Sequence, residues 1–308
     1  MEIQVIKHRG IFLGIAAILV ATSVVGLAVF GLRTGIDFEG GTLWQINFSA
    51  EGGSASGGNN PPTQEMLRSF VQSNLAPEAI VTQSDEGAEF NLRLKELSEA
   101  EHQQYADALE GEFGNFEELS FQSIGASVGA ELVRRAIWAV LINLLAIVLY
   151  VAYAFRKVSI PVNSWKYSAI TLATLFHDAI IPVGLFAFLG YFMGVEIDTN
   201  FIVATLVVMG FSVHDTIVVF DRIRENLHLK SSRESFDDLV NRSVNETMAR
   251  SINTSLTLIV VLVALLVLGA STLNYFILVI LLGTILGTYS SIFVASPLLT
   301  LWNKKRGQ

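Results

Sequence analysis

A polytopic α-helical membrane protein carrying one small α+β domain is the fold class that three observations predict. Fifty-two per cent of the 308 residues are apolar and only 16% are charged, and mean hydropathy is positive. Water-soluble chains of this length do not show that balance. Six apolar runs, at residues 11–32, 136–155, 167–192, 200–220, 251–270 and 275–298, each hold about 20 residues, enough to cross a hydrocarbon core of roughly 30 Å. Between the first two runs lies a polar stretch of about 100 residues, long enough for one folded domain. The predicted division is therefore an N-terminus with the first transmembrane helix (1–32), an extracytoplasmic domain (33–133), transmembrane helices two to six (134–298) and a short tail (299–308).

The first run follows Lys7 and Arg9, as in a signal peptide. It is too long for one, and no small-x-small cleavage site precedes Arg33, so an uncleaved signal anchor is expected. Gly35, Asp37, Gly40 and Gly41 then lie in a short segment with three glycines and no proline. Glycine reaches backbone conformations closed to other residues, so Gly40 and Gly41 suit either a hinge or a tight packed turn. Residues 42–48 alternate apolar and polar, and 79–82, 89–94 and 117–123 are further strand candidates. Residues 64–73 and 98–110 read as helices, the second opening on Ser98 with Glu101 three residues on, a capping-box pattern. The order β-α-β-β-α-β predicts a ferredoxin-like two-layer fold. Residues 49–62, rich in Gly, Ser, Asn and Pro, cannot pack a core and read as a flexible loop. His102 is expected on a solvated helix face, and nothing in this domain forms a nucleophile-base pair.

Orientation follows from the basic residues. Fourteen of the 20 Lys and Arg fall in segments 7–9, 156–166, 222–250 and 304–306, which an even number of spans places on one side. The positive-inside bias makes that side the cytoplasm, with both termini there. Between Asp37 and Glu131 there are 17 acidic residues against Arg68, Arg93 and Lys95, so the outer domain is strongly acidic. The formal net charge of −8 argues against a nucleic-acid partner. The chain has no cysteine, so neither disulfides nor thiol chemistry are available to it. Arg33, Arg134 and Arg135 run against the bias.

Polar residues inside the spans carry the functional signal. Asp215 lies in the apolar run 201–220, where an aspartate costs roughly 2.5–3.5 kcal/mol at a helix centre and needs a partner, water or a proton. Ser212 and Thr205 share its side of the helix, while Val203, Leu206 and Val207 lie opposite. His177 and Asp178 occupy the middle of the third run, and His214 precedes Asp215. Adjacent residues on a helix point about 100° apart, so neither His-Asp dipeptide is taken as an internal pair. A metal site is disfavoured because no i,i+4 histidine pair exists. Arg250 opens the fifth run, with Thr254 and Thr257 along one side. It can pair with Asp215, or it can snorkel to the surface as a positive flank. Gly283 and Gly287 form a small-xxx-small surface in the sixth run, followed by Ser290 and Ser291.

Several segments resemble the SecD/SecF family of bacterial protein-export membrane proteins. Gly35-Ile-Asp-Phe-Glu-Gly-Gly-Thr42 resembles the SecF-type signature after the first span. Ser212-Val-His-Asp-Thr-Ile-Val-Val-Phe-Asp-Arg-Ile-Arg-Glu-Asn226 is similar to its long fourth-span motif. Residues 241–255 are similar to the segment entering its fifth span, and residues 287–296 resemble its sixth. The resemblance implies membership of the resistance-nodulation-division superfamily and a twelve-span unit formed with SecD. That unit would work beside the SecYEG channel in the inner membrane, with YajC as a further companion. It would use the proton motive force to draw translocating preproteins outward, without a cofactor or enzymatic activity. By motif match, Asp215 would be the protonatable carboxylate, Arg250 its basic partner and Asp178 a further polar residue near the route. His214 stands where many relatives carry Asn and would add a titrating group. A proton-driven solute exporter of the same superfamily is the competing reading, but one half with one small domain favours a subunit. An intramembrane aspartyl protease fits less well, because Ser212-Val-His-Asp215 is not a Gly-x-Gly-Asp context.

Overall fold

The computed structural model describes residues 3–48, 61–83, 88–156, 163–229 and 234–304. The loop predicted at 49–62 lies almost wholly outside them. The chain divides into two compact units, Thr34–Ala136 and Met1–Arg33 with Ile137–Gln308.

The smaller unit opens with a single helical turn, α2 (Ile36–Glu39), which follows α1 (Arg9–Phe30) in the chain. Then come β1 (Gly41–Asn47), α3 (Gln64–Asn74), β2 (Ile80–Gln83), β3 (Glu89–Leu94), α4 (Glu99–Phe113) and β4 (Glu117–Ile124). The strands form one antiparallel sheet in the order β2-β3-β1-β4, the ferredoxin-like arrangement expected from the element order. Period-2 alternation aims Trp44 and Ile46 of β1, and Phe90 and Leu92 of β3, to one side. Leu67 and Val71 of α3 and Leu109 and Phe113 of α4 close that core.

The capping box is present: Glu101 N donates to Ser98 Oγ (3.4 Å) and Ser98 N to Glu101 Oε2 (2.8 Å). The Ser98 hydroxyl and backbone together hold the Glu101 carboxyl below the usual range. A depressed carboxyl pKa contributes stability above its unfolded value, and loses it as pH falls through the folded value. Ser98→Ala is expected to weaken α4 by about 1 kcal/mol at neutral pH and by less in acid. Hydrogen exchange of the first-turn amides at the two pH values checks both statements.

His102 corrects the sequence expectation. It is 9% exposed, its Nε2 lies 2.7 Å from Glu118 Oε2, and its ring stacks on Phe121. Trp44 Nε1 donates to the same Glu118 oxygen at 2.8 Å. The signal was available, because positions 102, 109 and 113 share one helical stripe and all three are buried.

Gly40 and Gly41 have φ of 79° and 120°. A Cβ on Gly40 would come within 2.8 Å of Ala126 Cα, and one on Gly41 within 2.8 Å of Leu94 O. Glu39 also pairs with Arg93 at 2.8 Å, tying the segment to β3. These are the dimensions of a packed turn, and they account for both glycines without motion.

In the larger unit the helices are α1, α5 (Ala126–Ala154, whose residues up to Ala136 belong to the smaller unit), α6 (Ser164–Met193), α7 (Thr199–His228) and α8 (Phe236–Leu268). The sixth run is α9 (Asn274–Ser290), a π-helical turn (Ser291–Ala295) and α10 (Ser296–Lys304). Among the described residues, six helical segments are long and apolar enough to cross a membrane, as expected of a multi-pass membrane protein. Helix α8 begins 15 positions before its apolar run at 251, because Ser235 caps it, its Oγ accepting from Asp238 N (3.1 Å). Its first turns are amphipathic, burying Leu239, Val240 and Val244, and a search for continuous apolar sequence passes over them.

Glycines set the helix spacing. A Cβ on Gly283 would lie 2.2 Å from Val208 Cγ2 and one on Gly287 3.0 Å from Ser212 Cα, so the small-xxx-small surface seats α9 on α7. The three arginines that run against the charge bias all have acidic partners. Arg33 meets Glu196 (3.4 Å), and Arg134 and Arg135 both meet Glu131.

Candidate functional site

Two carboxylates are buried where α6, α7, α8 and α9 meet. Asp178 on α6 is 0% exposed and Asp215 on α7 is 2% exposed. Asp178 Oδ2 accepts from Ser212 Oγ of α7 (2.5 Å) and from Ser290 Oγ of α9 (2.6 Å). Its Oδ1 lies 2.8 Å from His177 Nδ1. Asp215 Oδ2 accepts long hydrogen bonds from Thr288 Oγ1 of α9 (3.3 Å) and Ser255 Oγ of α8 (3.4 Å). Those two hydroxyls are themselves 2.5 Å apart. Ser212 and Asp215 are three positions apart on one helix face, so α7 carries one member of each cluster.

Local sequence explains the convergence. Gly283 and Gly287 bring α9 close enough to α7 for the short Ser290 and Thr288 side chains to reach the carboxylates. The π-helical turn starts right after Ser290, and wider turns of this kind frequently lie at functional sites. Ser296 Oγ donates to Ser291 O at 3.2 Å, five residues back, and supplies a bond to a carbonyl in that turn. Sequence inspection had no means of finding the π turn, since nothing in the residue pattern marks it.

Hydroxyl partners have a chemical consequence. A serine or threonine hydroxyl donates to a carboxylate, and after rotation it accepts from a carboxylic acid. The same side chains can therefore partner either protonation state of a carboxyl group, with their hydrogen bonds redirected. An arginine partner would instead hold the ionised form. Among the described residues, no lysine or arginine lies in ion-pair range of either aspartate.

The structure brings only part of the expected set together. Asp178 and Asp215 are both in the cluster, and the His177–Asp178 pair that helix geometry made doubtful does form. His177 Nε2 is buried with no described partner, leaving one polar atom of the cluster free for water. His214 is exposed and is not among the hydrogen-bond partners of Asp215. Arg250 is also exposed and is not paired with Asp215 within this chain. The polar stripe expected on α8, Arg250–Thr254–Thr257, faces outward, whereas Ser251 and Ser255 face inward. Two polar stripes one residue apart differ by about 100°, and sequence could not choose between them. Ser255 and Thr288 were not singled out, and only the fold reveals them. Gly35 and Asp37 lie in the separate turn described above, Asp37 in the first turn of α2.

Comparison with known proteins bears on the whole chain. Residues 104–305 match the model for the C-terminal region of SecD/SecF protein export membrane proteins. The protein translocase subunit SecF of Thermobaculum terrenum is 42% identical over 312 residues, covering 98% of this chain and 95% of that one. The SecF subunit of Sebaldella termitidis is 34% identical over 98% of this chain and 92% of its own length. The crystal structure of SecDF from Thermus thermophilus, a translocon-associated membrane protein, superposes with a TM-score of 0.82 at 32% identity. It matches 99% of this chain, which spans 39% of that longer chain. The fold, the near full-length identity and the matched region agree, and the chain belongs to the SecD/SecF family of protein export membrane proteins.

Proposed function

We propose that this protein is an accessory subunit of the Sec translocase, in which protonation and deprotonation of Asp215 and Asp178 couple the proton motive force to late stages of preprotein export. The observation that carries this reading is the pair of buried carboxylates, on α6 and α7, held by four hydroxyls from α7, α8 and α9. A proton gained or lost there redirects hydrogen bonds on α6, α7, α8 and α9 together, which is the physical origin of a two-state change in this reading. The relatives named as translocase subunits support the same assignment.

A SecD-type chain is the proposed partner. The Thermus SecDF relative joins a matching half to a longer chain. In this chain α7 and α8 leave His214, Arg250, Thr254 and Thr257 exposed. The two threonine hydroxyls donate to carbonyls of their own helix, but hydrocarbon cannot hydrogen-bond His214 and Arg250, so a second set of helices or a water-filled cavity is needed to cover those two. SecYEG and the translocating preprotein complete the assembly in this reading, with YajC as a further companion. The membrane would be the bacterial inner membrane with both termini cytoplasmic.

Purification in mild detergent with identification of companion chains tests the assignment. A SecD-type companion is the expected result, and a solitary homo-oligomer would count decisively against it. Arg250 offers a second test. Since its side chain is exposed and unpaired here, Arg250→Met should leave the isolated chain's thermal stability within about 0.5 kcal/mol of the parent. In the assembled translocase the same change should lower gradient-stimulated export, and Arg250→Lys should lower it too, because Lys lacks the planar fork that matches a carboxylate. Full export with both substitutions would remove Arg250 from the relay.

A further inference from the structure

We infer that the open edge of β4 takes up a passing segment of an extended, unfolded polypeptide as an added strand, a role that deepens the export reading above and rests on it. A sheet ordered β2-β3-β1-β4 has two edges, and this protein treats them differently. At β2 the edge is closed by side chains of α3. Gln64 Nε2 donates to Val81 O and Gln72 Nε2 to Ala79 O, each at 2.9 Å. Those carbonyls belong to alternate residues and so share one side of the strand. Sealing an edge in this way is how proteins prevent unwanted strand pairing.

The β4 edge has no such cover. Its main chain pairs with β1, and among the described residues no side chain or other backbone segment bonds to its outer side. Eight residues long, Glu117-Glu-Leu-Ser-Phe-Gln-Ser-Ile124 contains no proline, lysine or arginine to blunt it. A register shift opposite Gln45 and Ile46 leaves Leu119 without a β1 partner and bends that end of the strand. Regular pairing then runs from Ser120 to Ile124, opposite Gln45 to Gly41. Five residues are enough for one added strand of ordinary length.

The character of the edge selects its occupant. Strand addition draws its affinity from main-chain hydrogen bonds, so it accepts almost any sequence. Ser120 and Gln122 offer no apolar anchor, so the hold is weak and short-lived, which suits a chain that must move on. A second copy of this domain is disfavoured by charge, with 17 acidic residues against three basic ones between Asp37 and Glu131. The same field favours segments carrying positive charge.

The absence of cysteine allows a clean test in the full chain assembled with its translocase. Gln122→Cys places a single thiol on the open edge, and Thr82→Cys places one on the sealed edge; both side chains are exposed. An exported protein is stalled in transit with single cysteines at successive positions, and oxidation traps neighbours. Gradient-stimulated export is measured in the same vesicles. The expected result is cross-linking at Gln122→Cys well above Thr82→Cys, strongest at every second substrate position, as strand pairing requires. Equal labelling of both edges, no alternation, or capture of a folded companion subunit in place of the exported chain overturns the proposal. If stimulated export persists in that case, the translocase reading survives alone. If the gradient has no effect on export through the unmodified protein, the reading and this proposal fall together.

Discussion

Asp215→Asn is expected to abolish the stimulation of export by a proton gradient while leaving the fold in place. Asparagine keeps the size of the side chain and one carbonyl oxygen, so Thr288 and Ser255 retain an acceptor on α7. What disappears is the exchange between carboxylate and carboxylic acid. Residual export should therefore fall to the level seen without a gradient, and should stop responding when the gradient is imposed or collapsed. Translocation into inverted vesicles measures both, and size-exclusion profiles in detergent confirm the fold. A mutant stimulated as strongly as the parent would sink the proton-carrier role. Asp178→Asn is the informative companion. Its carboxylate accepts from Ser212 and Ser290 at one oxygen and contacts His177 at the other, so the amide must turn its nitrogen toward one of them. Some loss of stability, typically 1–3 kcal/mol for a buried group left mismatched, should accompany its loss of function.

That contrast shows what could be read from the chain and what could not. Asp215 was legible because an aspartate in an apolar run has an energetic cost that demands an explanation. The six apolar runs and the β-α-β-β-α-β order were legible because burial imposes fixed periods of 3.6 and 2. The partners of the aspartates were another matter. Ser255 lies on the buried face of α8 and Arg250 on the exposed one, yet both belong to polar stripes of equal merit in the sequence. Ser290 reaches Asp178 across 112 positions of sequence, and no local rule joins them. His102 is a different case: as a residue type it suits a solvated face, and its position on the stripe with Leu109 and Phe113 is what buries it. Periodicity decides which residues are inside, and only tertiary packing decides which of those meet.

Gly283→Ala should damage both the packing and the function of the helical unit. The new Cβ would stand 2.2 Å and 2.3 Å from the two Val208 methyls and 2.8 Å from Val208 Cβ. No rotamer of valine clears all three, so α9 must move away from α7. Overpacking of this kind typically costs 1–3 kcal/mol. Helix α9 also carries Thr288 and Ser290, so the same displacement lengthens the already long bond to Asp215 and strains the short one to Asp178. Stability and gradient response should therefore fall together, although Gly283 touches neither carboxylate. Val208→Ala in the same chain removes the two methyls that make the closest approaches but leaves the Cβ at 2.8 Å. The double mutant should recover most, not all, of both properties. Thermal aggregation in detergent and export in vesicles are the two readouts. If Gly283→Ala alone matches the parent in both, close contact between α7 and α9 is not what assembles the site. If stability recovers in the double mutant and the gradient response does not, helix spacing sets the fold but not the proton chemistry.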